Sequence, residues 1–321
     1  MNKSYKITLI KSLKFLIILI LIDQLLGTVT RIYFFKQQSG KYYRISYSMD
    51  SAKADIFIFG SSHANRHYDV DVFEKELGMT CYNAGVQGQE LLFVATLQKI
   101  ILQRTKPKLI ILNIDPEWLY ESAGSYDKLG ELNPYYFKNP DLIGQVLKKN
   151  KRFIEIPLLS KLYQYNSTIA HIVKYFFFPQ DDNKGFRALT GTVNDSNFKN
   201  QKSIELEEKN QKIDTLFVRS FKELLINAKN NKVEIIAVTS PSLFGVNLNR
   251  NFSFKEMESI LLKQNVSLFN FCNDERFLNH NELYSDPGHL NIKGAALFSK
   301  FVADTINRKS GILQNVICLT K

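Results

Sequence analysis

Five short apolar runs, each followed by a polar loop, constrain the fold of this chain more than any other feature. The runs lie at residues 55–59, 80–83, 108–114, 233–239 and 266–270. Segments with helical periodicity come after them, at residues 71–77, 90–102, 203–230, 254–264 and 291–308. Because strands that alternate with helices form parallel sheets, we predict an α/β fold: a doubly wound parallel sheet of about five strands with helices on both faces.

The region between the third and fourth predicted strands is less regular. From about residue 118 to residue 200, asparagine–proline pairs and aromatic patches replace the periodic pattern. This composition predicts an insertion with several short helices over one end of the sheet. We therefore expect a linker at 36–52, an α/β domain at 53–310 that contains the insertion, and a C-terminal tail at 311–321.

The positive charge of the chain is concentrated near its N-terminus. The 321 residues include 42 lysines and arginines against 31 acidic residues, a net charge of +11. Residues 1–45 contribute +7 of this total, which leaves +4 for the rest of the chain. Because nucleic-acid-binding domains carry their basic residues as a patch on the folded surface, this distribution argues against a nucleic-acid partner.

An apolar segment near the N-terminus predicts a membrane anchor. Residues 15–22 are uniformly apolar, and they follow Lys3, Lys6, Lys11 and Lys14. Such segments insert with their lysines on the cytoplasmic side. We expect residues 1–35 to form a single transmembrane helix in a bacterial-type cytoplasmic membrane, with the domain on the extracytoplasmic side, periplasmic or at the cell surface. A cleaved signal peptide is the alternative, and Asp23 is costly in lipid unless it lies near the outer interface or has a partner.

A short glycine–serine motif follows the first predicted strand, with the sequence Gly60-Ser61-Ser62-His63. Glycine permits a sharp turn from strand to helix, so a serine here lies at the carboxyl edge of the sheet, where such folds bind ligands. The serine is then either a nucleophile, a helix N-cap or part of an anion-binding turn.

A carboxylate and a histidine precede the last predicted helix, in the sequence Asp286-Pro287-Gly288-His289. A Pro–Gly turn lets the carboxylate reach the imidazole three residues later. A carboxylate on one ring nitrogen fixes the tautomer and leaves the other nitrogen free to accept a serine proton. The alternative is a carboxylate that serves as a turn or cap residue, with an incidental histidine partner.

Two glycines follow the second predicted strand, in the loop Asn83-Ala84-Gly85-Val86-Gln87-Gly88. Glycine lets backbone N–H groups approach a ligand closely, which an oxyanion hole requires. Ordinary strand-to-helix turns use glycine in the same way, so this loop alone leaves both interpretations open.

Together, the three loops resemble the sequence blocks of the SGNH (GDSL-type) hydrolase superfamily, in particular its membrane-anchored branch associated with envelope polysaccharides. The resemblance implies a flavodoxin-like sheet, with Ser62 as the nucleophile. It also implies that His289 is the general base, that Asp286 orients its ring, and that the N–H of Gly88 stabilises the oxyanion. It covers residues 55–115 and 233–308.

One block departs from the family pattern. The family carries Gly-x-Asn-Asp after the third strand, with the asparagine as a second oxyanion donor. Here Asp115 stands at that position, and an ionised carboxylate cannot donate a hydrogen bond; Asn113 could supply an amide only if the turn shifted by two residues. Ser61 replaces the aspartate of the first block, and His63 follows the nucleophile. We expect these four residues to line the oxyanion or substrate site.

The resemblance implies a serine esterase or O-acyltransferase that acts on ester groups, most readily O-acetyl groups, of a cell-envelope glycan through an acyl-serine intermediate. The alternative is a non-catalytic envelope protein that keeps the fold as a glycan-binding or assembly module. We expect neither a metal nor an organic cofactor, because Cys81, Cys272 and Cys318 form no CxxC pair and no phosphate-binding glycine motif occurs. The expected partners are an acylated glycan and, through the N-terminal helix, a membrane.

Overall fold

A central parallel sheet organises the chain. The computed structural model describes residues 3–150, 153, 155–166, 168–193 and 211–319. Its strands are β1 (Ile56–Phe59), β2 (Cys81–Asn83), β3 (Leu109–Asn113), β4 (Glu234–Thr239) and β5 (Ser267–Asn270). All neighbouring strands pair in parallel, in the order β2-β1-β3-β4-β5. This is the flavodoxin-like order, and the predicted α/β fold with five parallel strands is confirmed.

The described residues form eleven α-helices. They are α1 (Lys3–Phe35), α2 (Lys41–Asp50), α3 (Ser62–His67), α4 (Val70–Leu77), α5 (Leu91–Arg104), α6 (Ala123–Asp127), α7 (Pro140–Leu147), α8 (Ile169–Phe177), α9 (Thr215–Asn230), α10 (Phe252–Lys263) and α11 (Ile292–Leu319). A short antiparallel ribbon of β6 (Tyr284–Asp286) and β7 (His289–Leu290) precedes α11. This ribbon carries the Asp-x-x-His motif.

Both faces of the sheet are buried, as continuously apolar strands require. Ile56, Ile58 and Ile111 belong to a core cluster that also holds Phe73 of α4 and Phe298 of α11. The intervening strand residues are equally inaccessible to solvent: Phe57, Phe59, Ile110 and Leu112. On that second face α9 contacts β4 and packs against α5. The two hydrophobic layers therefore hold the carboxyl ends of the strands in fixed positions.

Two helices differ from the sequence prediction, one in its starting residue and one in being present at all. The helix expected at 203–230 begins at Thr215, because the Asp214 side chain accepts a hydrogen bond from the Leu216 N–H and caps the helix there; residues 203–210 lie outside the described part of the chain. The segment expected to be a linker at 36–52 contains helix α2. In contrast, α4 ends at the predicted Gly78, which adopts a left-handed conformation with φ of 64°.

The chain divides into two compact units. One unit comprises Tyr47–Lys128 and Asp181–Lys321 and contains the whole sheet and the ribbon. The other comprises Met1–Ser46 and Leu129–Gln180. The second unit is helical and contains most of the region predicted as an insertion, with α7, α8 and three short 3₁₀ segments (Lys128–Tyr135, Ile156–Leu159 and Tyr163–Tyr165) in the described residues.

The N-terminal helix corrects one prediction. No helix in the described ranges is long and apolar enough to cross a membrane, so the transmembrane helix expected in residues 1–35 is not supported. Residues 3–35 do form one helix, α1, but its uninterrupted apolar run ends at Asp23. That carboxylate accepts hydrogen bonds from the Ser160 hydroxyl and from the N–H groups of Lys161 and Leu162.

Gly85 marks a close approach of the loop after β2 to helix α3. A Cβ atom at this position would lie 2.5 Å from the backbone nitrogen of Asn65 and 2.7 Å from the Cβ of Ala64. Because backbone atoms must then move, we expect Gly85→Ala to lower the free energy of unfolding by about 3 kcal/mol in denaturant titrations. Gly124→Ala in α6 is the matched control, since its nearest neighbour, the Ser122 Oγ, would be 3.7 Å away. Equal stability of the two variants would contradict the close approach.

Candidate active site

The loop after β1 presents Ser62 at the carboxyl edge of the sheet. Gly60 adopts φ of 150°, and a Cβ there would lie 2.8 Å from the Cβ of Ala64 and 3.0 Å from that of Asn113. Only glycine fits this turn without strain. Ser61 caps helix α3 by accepting a hydrogen bond from the N–H of His63. Ser62 is the first residue of the helix, as the strand-to-helix interpretation predicted.

The ribbon of β6 and β7 brings a histidine and a carboxylate to the same edge. The Ser62 hydroxyl lies 2.8 Å from Nε2 of His289. On the other side of the ring, Nδ1 lies 3.0 Å from both carboxylate oxygens of Asp286. The Gly288 N–H also donates to Asp286 at 2.9 Å, which closes the turn. The serine, the histidine and the aspartate thus form one continuous hydrogen-bonded chain of the kind that activates a nucleophile.

The hydrogen bonds determine the tautomer of His289. An ionised carboxylate only accepts, so Nδ1 of the ring carries the proton and Nε2 is free to accept the serine proton. Burial lowers the pKa of His289 and the nearby His63 lowers it further, against the opposing effect of Asp286. The ring therefore stays neutral, and competent as a base, to a lower pH than an ordinary histidine.

Gly88 lies in the turn that follows β2. It adopts φ of 75°, and the space where a side chain would begin is open, with no atom within 4 Å. An exposed N–H in such a turn suits an oxyanion donor. Ser62 offers a second candidate donor, because the first N–H groups of a helix have no intrahelical acceptor. The roles of both groups stay predictions.

The buried side chain of Asn113 makes three hydrogen bonds within the fold. Its side chain is inaccessible to solvent. Its Oδ1 accepts hydrogen bonds from the Tyr68 hydroxyl at 2.8 Å and the Ser240 hydroxyl at 2.7 Å, and its Nδ2 donates to Asp115 at 3.1 Å. Sequence reasoning did not identify Tyr68 or Ser240, since neither lies in a recognised block. The bond to Asp115 uses one of the two N–H groups of this amide.

Asp115 is surrounded by hydrogen-bond donors. Its carboxylate accepts from the Ser61 hydroxyl at 2.5 Å, from Nδ1 of His63 at 2.6 Å and from the amide of Asn113. Burial alone would raise the pKa of Asp115, but the charge of His63 and these hydrogen bonds hold it below its ordinary value. Asp115 is therefore an ionised acceptor, and it organises the loop beneath Ser62.

His67 completes the cluster of rings as a buried, neutral histidine. Its Nε2 accepts a hydrogen bond from the Leu290 N–H at 3.0 Å, and its Nδ1 has no hydrogen-bond partner among the described residues. Burial, together with the charges of His63, His289 and Arg66, holds its pKa well below the ordinary value of 6.5.

His67 should make stability depend on pH. Below pH 6.5 the unfolded chain binds a proton that the folded His67 does not, so stability should fall as the pH falls, by up to about 1.4 kcal/mol per pH unit from this group. Denaturant titrations from pH 7 to pH 5 should show a smaller loss for His67→Gln, whose amide oxygen can still accept from Leu290. The same pH dependence in both proteins would show that His67 is protonated in the folded state.

A segment of the predicted insertion, residues 185–189, is hydrogen-bonded to helix α3 and to the start of α11. The Asn65 amide donates to the Gly185 carbonyl at 2.7 Å, and the Arg187 N–H donates to the Asn65 carbonyl at 2.9 Å. Further along, the Ile292 N–H at the start of α11 donates to the Leu189 carbonyl at 2.8 Å. One side-chain and two main-chain hydrogen bonds thus connect α3, through this segment, with the helix that follows the Asp-x-x-His motif.

Comparisons with known proteins leave the family open. No family model matches the sequence, and no curated protein matches it. Among solved structures, one described as an acetyl xylan esterase aligns with a TM-score of 0.38 and 11% sequence identity, over 79% of this chain and 98% of that chain. Within the described residues, no group of three or more histidine, cysteine, aspartate or glutamate side chains is placed to hold a metal ion.

Proposed function

We propose that this protein is a serine esterase or O-acyltransferase that works through an acyl-serine intermediate. The single observation that carries the proposal is the hydrogen-bonded chain from Ser62 through His289 to Asp286. If Asp286 and His289 were only a structural pair, the second ring nitrogen of His289 would need no serine hydroxyl as its partner. The serine lies, in addition, directly after a tight glycine turn, at the edge where parallel α/β sheets bind their ligands.

The proposed reaction begins with attack of the Ser62 oxygen on an ester carbonyl. Nε2 of His289 takes the hydroxyl proton, and Asp286 stabilises the resulting imidazolium. The N–H groups of Ser62 and Gly88 stabilise the tetrahedral oxyanion. Collapse then breaks the ester C–O bond, and the departing alcohol takes the proton from His289. Water or a sugar hydroxyl attacks the acyl-serine next, with His289 again as the base.

The resemblance to SGNH hydrolases associated with envelope polysaccharides supports an O-acetylated glycan as the substrate. This substrate class and an extracytoplasmic location stay predictions from the sequence. The test is acetate release from an O-acetylated polysaccharide, with and without a deacetylated oligosaccharide as acceptor. Acetate release alone identifies an esterase, and acetylation of the acceptor identifies a transferase. Glycan binding with no turnover of polysaccharide or of p-nitrophenyl acetate would support the non-catalytic alternative and contradict the proposal.

A further inference from the structure

Three histidine rings meet beside the nucleophile, and their hydrogen bonds assign them different protonation states. The ring centroids of His63 and His289 lie 5.4 Å apart, and His67 lies 5.0 Å from the first and 6.0 Å from the second. His289 and His67 each accept a hydrogen bond through Nε2, so each is neutral. The third ring, His63, makes a different set of bonds.

Both nitrogens of His63 face groups that can only accept. Nδ1 lies 2.6 Å from the Asp115 carboxylate, and Nε2 lies 3.0 Å from the carbonyl oxygen of Gly288. Asp115 itself receives hydrogen bonds from Ser61 and Asn113, so it acts as an ionised acceptor. A neutral imidazole has a single N–H and would leave one of these bonds unmade. The geometry therefore requires an imidazolium.

We propose that His63 is a positioning residue of the active site: as an imidazolium that bridges Asp115 and the Gly288 carbonyl, it clamps the turn that carries His289 and places a positive charge beside that base. The inference rests on the proposed function for its catalytic consequence. It gives His63 a role different from the substrate contact that the sequence suggested.

The clamp joins two parts of the site that are far apart in the chain. Asp115 follows β3, in the centre of the sheet, whereas Gly288 lies in the turn between Asp286 and His289. A turn of this kind has few contacts of its own, and Asp286 is half exposed. The bond from His63 to the Gly288 carbonyl ties the turn to the sheet. Because Ser62 directly precedes His63 in the chain, this bond also fixes the distance between His289 and the nucleophile.

The charge of His63 also acts on the base. The largest charge effects on His289 come from His63, Asp286 and Arg66, and the third ring, His67, is neutral. Those on His63 come from Asp115 and Asp286. Burial alone would lower the pKa of His63, but Asp115 and the Gly288 carbonyl outweigh it and raise the pKa above its ordinary value. A cation at 5.4 Å disfavours protonation of His289, so the base stays available at lower pH and, once protonated, gives its proton readily to the leaving alcohol.

The direct test is an NMR titration of the histidine rings in the full chain. Only five histidines occur in the sequence, so single His→Gln variants assign every ring. We expect His63→Gln to raise the pKa of His289 by between about half a unit and two units, because the cation is removed and the Asp115 carboxylate remains. The double variant H63Q/D115N removes both charges, so its His289 should titrate between the wild type and the single variant.

Two further variants complete the design. His280→Gln changes an exposed histidine that pairs with Glu282 and lies outside the site, and it should leave the pKa of His289 unchanged. Asp115→Asn should lower the pKa of His63, because it removes the counter-charge. If His63→Gln fails to fold, the double variant, which has no unpaired carboxylate, still provides the comparison. An unchanged pKa of His289 in both His63 variants would overturn the proposal.

Kinetics provide the second readout. In His63→Gln the acidic limb of kcat/KM should move to higher pH by the same amount as the NMR shift, and kcat at its optimum should fall about ten- to a hundredfold through loss of the clamp. A uniform loss of activity with an unshifted limb would indicate a merely structural role and overturn the proposed effect on the base. If the wild type turns over no ester, the proposed function fails, while the titration still decides whether His63 is the bridging cation.

Discussion

Replacing Ser62 by alanine should lower kcat for ester hydrolysis at least about a thousandfold, to the level left by binding and the oxyanion donors alone. The reason is that the reaction loses its only nucleophile, while Asp286 and His289 keep their mutual hydrogen bond. The binding of an uncleaved ester should change little, because the hydroxyl makes its contribution in the transition state. Initial rates with p-nitrophenyl acetate, measured over a range of substrate concentrations, separate kcat from KM.

Ser285→Ala is the matched control for this variant. Ser285 lies in β6, next to Asp286, and its hydroxyl donates to the Thr190 carbonyl and not to the catalytic chain. Its removal should leave kcat within about threefold of the wild type, since surface changes of this kind cost little. If both variants retained the wild-type rate, hydrolysis would not depend on Ser62 and the assignment of the nucleophile would fail.

Asp286→Asn should have the second-largest effect, a fall in kcat of about a thousand- to ten-thousandfold, as expected when the orienting carboxylate of a serine–histidine pair is neutralised. In the present structure, both carboxylate oxygens accept from Nδ1 of His289 at 3.0 Å. An amide can present its NH₂ group to that nitrogen and so stabilise the tautomer that has its proton on Nε2. In that tautomer the ring cannot take the proton from Ser62.

The pH profile makes the test of Asp286 sharper. Loss of a negative charge lowers the pKa of His289 further, so the residual activity of Asp286→Asn should extend to lower pH than that of the wild type. Asp304→Asn, on helix α11, removes an equal charge away from the site and should change neither rate nor profile. A fall in rate that is the same for both variants would point to a general effect of charge and would count against an orienting role.

The site shows which parts of the structure the sequence could predict. The turns at Gly60 and Gly288 are local, because each places a polar side chain within a few residues of a glycine. A sequence of four residues is therefore enough to predict that Asp286 can reach His289. The approach of Ser62 to His289 depended on the further expectation that both loops lie at the carboxyl edge of one parallel sheet.

Other parts depended on contacts between distant residues and could not be predicted. The resemblance predicted that Asp115 stands where an asparagine is expected, but not that His63 would balance its charge or that His63 and Ser61 would both donate hydrogen bonds to it. His63 is separated from Gly288 by 225 residues, and no periodicity links a ring at a helix start with a carbonyl in a distant turn. The clamp becomes visible only when the hydrogen-bond acceptors around both ring nitrogens are known.

The N-terminal segment shows the limit of hydropathy patterns. Four lysines and an apolar run predicted a transmembrane helix in residues 1–35, and a charged Asp23 was the one residue that such a helix would hold in lipid only at a cost. In the structure this carboxylate caps a distant segment through Ser160 and two backbone N–H groups. A polar residue within an apolar helix had a structural partner 137 residues away, which the local pattern could not reveal.

Covalent labelling of the nucleophile tests the central claim most directly. The full-length protein, its Ser62→Ala variant and its Ser285→Ala variant would be treated with a fluorophosphonate, digested and examined by mass spectrometry. We expect one phosphonyl group per chain in the wild type and in Ser285→Ala, on the peptide that contains Gly60-Ser61-Ser62-His63, with fragment ions that assign it to Ser62 and not Ser61. No adduct on any serine of the wild type, or an equal adduct in Ser62→Ala, would contradict the assignment of Ser62 as the nucleophile.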